Sequence, residues 1–184
     1  MTFRIMRLDD KQSLLLEFVK ACHTDQKRKY THEPYWHHVY AVAEIVAEYE
    51  PSGIEIALCH DLLEDTECTE SDLSEKLIAC GYQNEKAAFI IAGVLDLTDQ
   101  FTHEAYPDLN RKARKEKEAE RLGNISYIAQ TVKYADLINN SESITEHDKS
   151  FAKVYLSEKA DMLKLMDQGH PELFKRCINI LEQI

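Results

Sequence analysis

Glycine and proline are scarce, five and four among 184 residues. So few breaks leave little room for hairpins and bulges, and they exclude a turn-rich sheet protein or a low-complexity disordered chain. Long apolar runs are also missing: none approaches the roughly 18 residues of a membrane-crossing helix. No signal-peptide pattern surrounds Phe3-Arg4-Ile5-Met6. Cysteine occurs five times, an odd number without paired CxxC spacing, which favours reduced thiols over a disulfide framework or zinc knuckle. Positive charge is in deficit, with 22 Lys and Arg against 33 Asp and Glu and a net charge of −11. That field repels phosphate backbones, so a nucleic-acid polymer is not the expected ligand. With 44% apolar and 30% charged residues, the remaining reading is a helix-rich cytoplasmic protein, off the membrane, forming one domain over residues 1–184. Composition says nothing of its oligomeric state.

Helical periodicity accounts for most of the chain. Asp9 to Cys22 carries Leu14, Leu15, Phe18, Val19 and Cys22 on one stripe. Pro34 is placed to open a second helix with Val39, Val42, Ala43, Val46 and Ala47 inward, ending near Pro51. Gly53 to Glu64 reads as one central helix, apolar on most faces. Thr69 caps a helix to Gly81, and Asn84 another to about Leu97. Thr98 to Pro107 is a polar, aromatic loop long enough for a rim or lid. A charged helix follows from Asp108 to Leu122, then a core helix from Ile125 to Asn139, one capped by Asp148 and running to about Asp167, and a last amphipathic helix after Pro171. No strand is expected, so the class is all-α, a bundle of about eight to ten helices.

Chemistry concentrates in Cys59-His60-Asp61-Leu62-Leu63-Glu64-Asp65-Thr66. On a continuous helix His60 lies under Glu64 and Asp61 under Asp65, because positions four apart share a face. One pair can hold a divalent metal while the other positions or deprotonates a water. A second His-Asp pair, His147-Asp148, serves as a control, since Asp148 is explained as a helix cap. His60-Asp61 instead lies in apolar sequence, where ionisable groups are costly unless paired or metal-bound. A helical metal site draws its ligands from facing helices. His38 and Asp136, each on an apolar helix, complete a two-histidine, two-carboxylate set suited to Mn, Fe, Zn or similar ions. Two basic clusters stand out: Lys27-Arg28-Lys29 beside the His38 helix, and Arg111-Lys112-Ala113-Arg114-Lys115, which reads as a solvated face.

Three segments, in order, resemble the HD-domain metal phosphohydrolases, and among them the hydrolase domain of the Rel/SpoT alarmone enzymes. They are Gln26-Lys27-Arg28-Lys29-Tyr30-Thr31-His32-Glu33-Pro34-Tyr35-Trp36-His37-His38, then His60-Asp61-Leu62-Leu63-Glu64-Asp65-Thr66, then Lys133-Tyr134-Ala135-Asp136-Leu137-Ile138-Asn139-Asn140. The resemblance covers most of the chain and leaves no room for a synthetase domain, so it implies a small standalone alarmone hydrolase. It implies that His38, His60, Asp61 and Asp136 bind the metal, usually Mn2+, with Fe, Zn, Mg or Co as other candidates. Glu64 and Asp65 match the pair that orients and deprotonates water. Arg28 and Lys29 match residues lining the guanine and phosphate site, and Asn140 one near the sugar and phosphate. The implied reaction removes the 3′-pyrophosphate of (p)ppGpp, giving GDP or GTP, with a small-molecule nucleotide as substrate.

Departures from the family pattern bear on the substrate. His32 stands where standalone relatives commonly have Gly, and His37 where they have another residue, so either could crowd the site or supply a spare ligand. Glu142 replaces an Arg expected two residues after Asn140. Other substrates therefore stay open: (p)pApp, the 2′-phosphate of NADPH, or a nucleoside 5′-monophosphate. A non-enzymatic nucleotide binder, or a neutraliser of a synthetase, is the alternative from another class. Tyr155 and Lys159 are phosphate-contact candidates, with core packing and a solvated face as their expected roles.

Overall fold

The structure is a computed structural model that describes residues 6–182. The reading of Phe3-Arg4-Ile5 and the last two residues of the domain span lie outside it. Among the described residues ten α-helices follow one another: α1 (Asp10–Cys22), α2 (Trp36–Tyr49), α3 (Ile54–Cys59), α4 (Leu62–Asp65), α5 (Glu70–Ala79), α6 (Asn84–Leu97), α7 (Arg111–Leu122), α8 (Tyr127–His147), α9 (Lys149–Leu163) and α10 (Pro171–Leu181). A 3-10 turn, Pro51–Gly53, precedes α3. Among the described residues there is no strand, only an isolated antiparallel bridge between Lys27 and Pro34. No described helix is long and apolar enough to cross a membrane.

Helix starts follow local chemistry where a polar side chain is available. Asp9 and Thr69 form capping boxes with Gln12 and Asp72, and Asn110, Ser126 and Asp148 accept from backbone amides of the first turn. Gly81 ends the α5 region with a φ of +88°, a left-handed conformation that glycine adopts without steric cost.

Several expectations need correction. Pro34 does not open α2; its bridge with Lys27 holds it in the preceding turn, and the helix begins at Trp36. Asn84 is the first residue of α6 and not its cap. In α1 the inward stripe is Leu15, Leu16 and Val19, whereas Leu14 is exposed. The core helix containing Asp136 extends eight residues past Asn139, to His147, and α9 stops at Leu163.

The largest correction concerns Gly53 to Glu64, which is two helices. The chain leaves α3 after Cys59, and Asp61 sits at φ −100°, ψ −1°, before α4 restarts with the Asp65 N–H donating to the Asp61 carbonyl (2.9 Å). His60 anchors the break through Nδ1, 2.8 Å from the Ala57 carbonyl. In a straight helix, adjacent side chains diverge by about 100°. Here the break lets His60 and Asp61 aim at one point.

All six residues of α3 are buried, making it the central element, flanked by α2, α6 and α8. Val39, Val42, Ala43 and Val46 of α2 meet Val132, Ala135 and Ile138 of α8 and Ile56 to Cys59 of α3 in one apolar cluster. Fully burying each larger aliphatic chain stabilises by about 1.5–3 kcal/mol, so the helices that carry His38, His60 and Asp136 are the most firmly held.

The α9–α10 connection is fitted closely to α8. Tyr134 Oη donates to the Met166 carbonyl (2.6 Å) and lies 3.3 Å from the Gly169 N–H. A Cβ on Gly169 would come within 2.4 Å of the Tyr134 ring and 2.9 Å of the Thr131 nitrogen. Gly169→Ala is expected to destabilise the fold by about 1–3 kcal/mol through overpacking, measured as a lower urea midpoint with unchanged slope.

Candidate metal centre and cleft

Two helices, α2 and α8, and the α3–α4 break bring His38, His60 and Asp136 together, with Asp61 beside them. His60 Nε2 lies 3.0 Å from Asp61 Oδ2 and 3.9 Å from Asp136 Oδ1; His38 Nε2 lies 3.3 Å from Asp136 Oδ1 and 3.6 Å from Asp61 Oδ2. Donor atoms of His38, His60 and Asp136 all fall within 4.8 Å of one another. Both imidazoles are oriented from behind. His38 Nδ1 meets Asn139 Oδ1 at 2.7 Å, and His60 Nδ1 meets the Ala57 carbonyl. Each Nδ1 therefore carries the proton, and each Nε2 turns its lone pair to the centre.

Both Nε2 atoms are buried and without a hydrogen-bond partner. Orphaned nitrogens facing two carboxylates are what a divalent cation would satisfy, and the mixed nitrogen and oxygen set fits a borderline ion. Burial disfavours charge on His60, but Asp61 and Asp136 outweigh it and raise its pKa to about 9. Burial also disfavours ionised Asp61, yet His60 holds it down to about 2. Against the same penalty, Lys133 chiefly keeps Asp136 well below the ordinary range.

Each carboxylate has a second partner. Tyr35 Oη donates to Asp61 Oδ2 (2.7 Å), and burial with this acidic neighbour raises the phenol far above its usual range. Lys133 Nζ pairs with Asp136 Oδ2 (3.0 Å), and Asn140 Nδ2 donates to Asp136 Oδ1 (2.6 Å). Arg28 Nη1 donates to Asn140 Oδ1 (3.1 Å), tying the first basic cluster to the centre. Lys29 does not line the cleft; its ammonium lies over the Tyr30 and Phe151 rings, 5.0 and 5.3 Å from their centroids.

Glu64 and Asp65 face the cleft beside the centre. Glu64 Oε2 accepts from the Asp99 N–H (3.2 Å), so the loop after α6 forms part of the rim. Although Glu64 is solvent-exposed, desolvation by the surrounding walls and the Asp99 carboxylate raise its pKa to about 7, against opposing pulls from Lys133 and that N–H. Asp65 Oδ2 accepts from Gln26 Nε2 (2.9 Å), and Gln26 Oε1 lies 2.6 Å from Nδ1 of buried His23.

The centre opens into a cleft of about 770 Å³, within the range of small-molecule sites. Arg111, Lys112 and Lys115 are exposed, as a solvated face should be, and they also border the cleft from α7, while Tyr155 and Lys159 line it from α9. The departures lie apart from the centre. His37 faces Glu33 (3.9 Å) and Trp36, and exposed His32 occupies a left-handed turn at φ +58°. That backbone position suits glycine, which explains the residue common in relatives. Neither histidine joins the donor cluster. Glu142 pairs with Arg176 of α10 (2.8 Å) instead of lining the cleft. Asp148 caps α9 as expected.

Sequence reasoning assigned no role to Gln26, Tyr35, Asp99, Lys133 or Asn139. Gln26, Tyr35, Lys133 and Asn139 stood inside the segments that carried the resemblance, which was the available signal; Asp99 had none.

An all-helical bundle with a buried His/Asp centre under an open cleft is the architecture of a metallohydrolase. The HD domain family profile matches residues 16–157. The chain belongs to the HD domain family, whose members are metal-dependent phosphohydrolases. Among solved structures it is similar to one described as a metazoan ortholog of SpoT that hydrolyzes ppGpp and plays a role in starvation responses. The two are 21% identical, with 97% of each chain covered and a TM-score of 0.78. No curated protein matches the sequence.

If Asn139 orients His38 toward a cation, Asn139→Ala should weaken divalent-metal affinity about 10–100-fold, read by competition with a chromophoric chelator, while the far-ultraviolet spectrum stays helical.

Proposed function

We propose that this protein is a metal-dependent alarmone hydrolase that cleaves the 3′-pyrophosphate from (p)ppGpp, giving GDP or GTP and pyrophosphate. The observation that carries the reading is the pair of orphaned Nε2 atoms facing Asp61 and Asp136 at the floor of a nucleotide-sized cleft. The similar solved structure, described as hydrolyzing ppGpp, supports the substrate class. His38, His60, Asp61 and Asp136 would hold the cation, which we assign as Mn2+. A cation there supplies Lewis-acid polarisation of a phosphoryl oxygen and acidifies nearby water.

The remaining work falls to the chain's own side chains. Glu64, with a pKa near 7, accepts the proton of the attacking water at neutral pH. Asp65, held by Gln26, orients that water. The water oxygen attacks the phosphorus attached to the ribose 3′ oxygen, and the bond to that oxygen breaks. Lys133 and Tyr35 hold the two carboxylates in place. Asn140 lines the cleft, and Arg28, bonded to it, would offer a planar cation for stacking or bidentate pairing. Lys29 belongs to the same basic segment and supports it from its aromatic seat. Five free cysteines suit a reducing compartment, and we place the activity in the cytoplasm.

Product analysis of the Mn2+-loaded protein with ppGpp, (p)pApp, NADPH and a deoxynucleoside monophosphate tests the reading. Pyrophosphate from ppGpp is expected; orthophosphate from NADPH or the monophosphate alone would replace the substrate assignment. Asp136→Ala should abolish metal binding and turnover together. Glu64→Gln should retain metal and lower kcat by about 10²–10⁴-fold. Because the base must be ionised, wild-type kcat/KM should rise with pH through about 7, and that limb should be absent in Glu64→Gln.

A further inference from the structure

Asp65 is exposed and ends a helix of four residues, yet the role assigned to it requires a fixed carboxylate. An unrestrained aspartate in such a place turns among its side-chain rotamers. Its Oδ2 is tied to Gln26 Nε2 (2.9 Å), but glutamine has several side-chain torsions of its own, so the tie is only as firm as the far end of the amide. That end meets a buried imidazole. Gln26 Oε1 lies 2.6 Å from His23 Nδ1, and His23 is 2% exposed. The backbone is held as well: the His23 N–H donates to the Val19 carbonyl (3.1 Å), the Gln26 N–H to the His23 carbonyl (3.1 Å), and the Tyr35 N–H to the Gln26 carbonyl (3.0 Å).

The direction of these side-chain hydrogen bonds follows from the carboxylate. Ionised Asp65 can only accept, so the Gln26 atom facing it is the amide nitrogen, and Oε1 is left facing the imidazole. A carbonyl oxygen also only accepts, which places a proton on His23 Nδ1. The chain therefore runs one way, from imidazole N–H to amide oxygen and from amide N–H to carboxylate. Among the described residues His23 Nε2 has no hydrogen-bond partner, so Gln26 is the polar contact of the ring. The flat of the ring has a different neighbour: it lies against Tyr35 (centroids 5.0 Å apart, planes at 34°), whose hydroxyl donates to Asp61. Ring packing and the Nδ1–H thus serve different residues, and a substitution can separate them.

We propose that His23 is a positioning residue for hydrolysis: acting through Gln26, it fixes the Asp65 carboxylate in the orientation that holds the attacking water. This deepens the function proposed above and rests on it for the role of Asp65. His23 does not line the cleft and is not one of the clustered donors. Its effect is carried by one amide, which passes the rigidity of a buried ring at the end of α1 to a side chain in contact with solvent.

The test is steady-state kinetics of the Mn2+-loaded protein with whichever nucleotide the product analysis above finds to be hydrolysed. His23→Phe keeps a ring against Tyr35 and removes the donor. It should lower kcat about 10–100-fold, while KM and divalent-metal affinity stay within about twofold, the pattern of an interaction realised in the transition state. His23→Asn, whose side-chain nitrogen is attached to Cγ as Nδ1 is, should recover most of the loss. Gln26→Ala should lower kcat by a similar factor, and His23→Phe combined with Gln26→Ala should be no slower than Gln26→Ala alone, because the two residues act as one chain. Full kcat in His23→Phe, or losses that multiply in the double variant, would overturn the proposal. A second measurement needs no variant: the nitrogen-15 spectrum of the histidine rings in Zn2+-loaded wild type should show a proton on His23 Nδ1, and a proton on Nε2 alone would also overturn it. Hydrolysis of another nucleotide in place of ppGpp would remove the alarmone assignment, while the same kinetic comparison would still decide the role of His23.

Discussion

Two buried imidazole nitrogens each lie within 4 Å of two carboxylates at the edge of the cleft, and the surrounding arrangement can be understood as the cost of keeping them there. Buried ionisable groups persist only when each has a partner. The partners come from every direction: Asn139 and the Ala57 carbonyl behind the histidines, Tyr35 on Asp61, Lys133 and Asn140 on Asp136. The largely apolar surroundings of α3 and the inner faces of α2 and α8 supply the rigidity that fixes these donors. The same low-dielectric setting gives the centre its affinity for charge.

The α3–α4 break is the local device that makes this geometry available. A continuous helix over the motif would send His60 and Asp61 to different faces, leaving one of them outside the donor set. By pausing for two residues, the chain directs both inward and still restarts quickly enough to present Glu64 and Asp65 to the cleft. The i to i+4 argument drawn from the sequence thus singled out residues that the structure brings to one cleft by a different route. Spacing alone cannot distinguish a helix from two short helices in one line, because the break is imposed by the Ala57–His60 contact and the packing around it.

The sequence was most legible where apolar periodicity and caps agree. The helical class, the stops at Pro51 and Gly81, and the caps at Thr69 and Asp148 follow from local chemistry and reappear in the structure. His38 and Asp136 could be picked out because a polar residue in an apolar stripe needs a reason, and both side chains come to the same point. The cleft wall was not legible. Arg111 to Lys115 has the pattern of a solvated helix, and nothing local to it records that α9 passes alongside to enclose a cavity. Glu142 was opaque for the same reason: its partner, Arg176, lies on α10, 34 residues away.

Glu64 and Asp65 are neighbours in sequence, yet they are moored to different parts of the molecule. One is held by the backbone at Asp99, after α6, and the other by Gln26, before α2. The helix between those moorings, α4, is four residues long. Any drift of one segment relative to the other must be absorbed within that single turn, which makes the carboxylate pair a gauge of how the two segments are set.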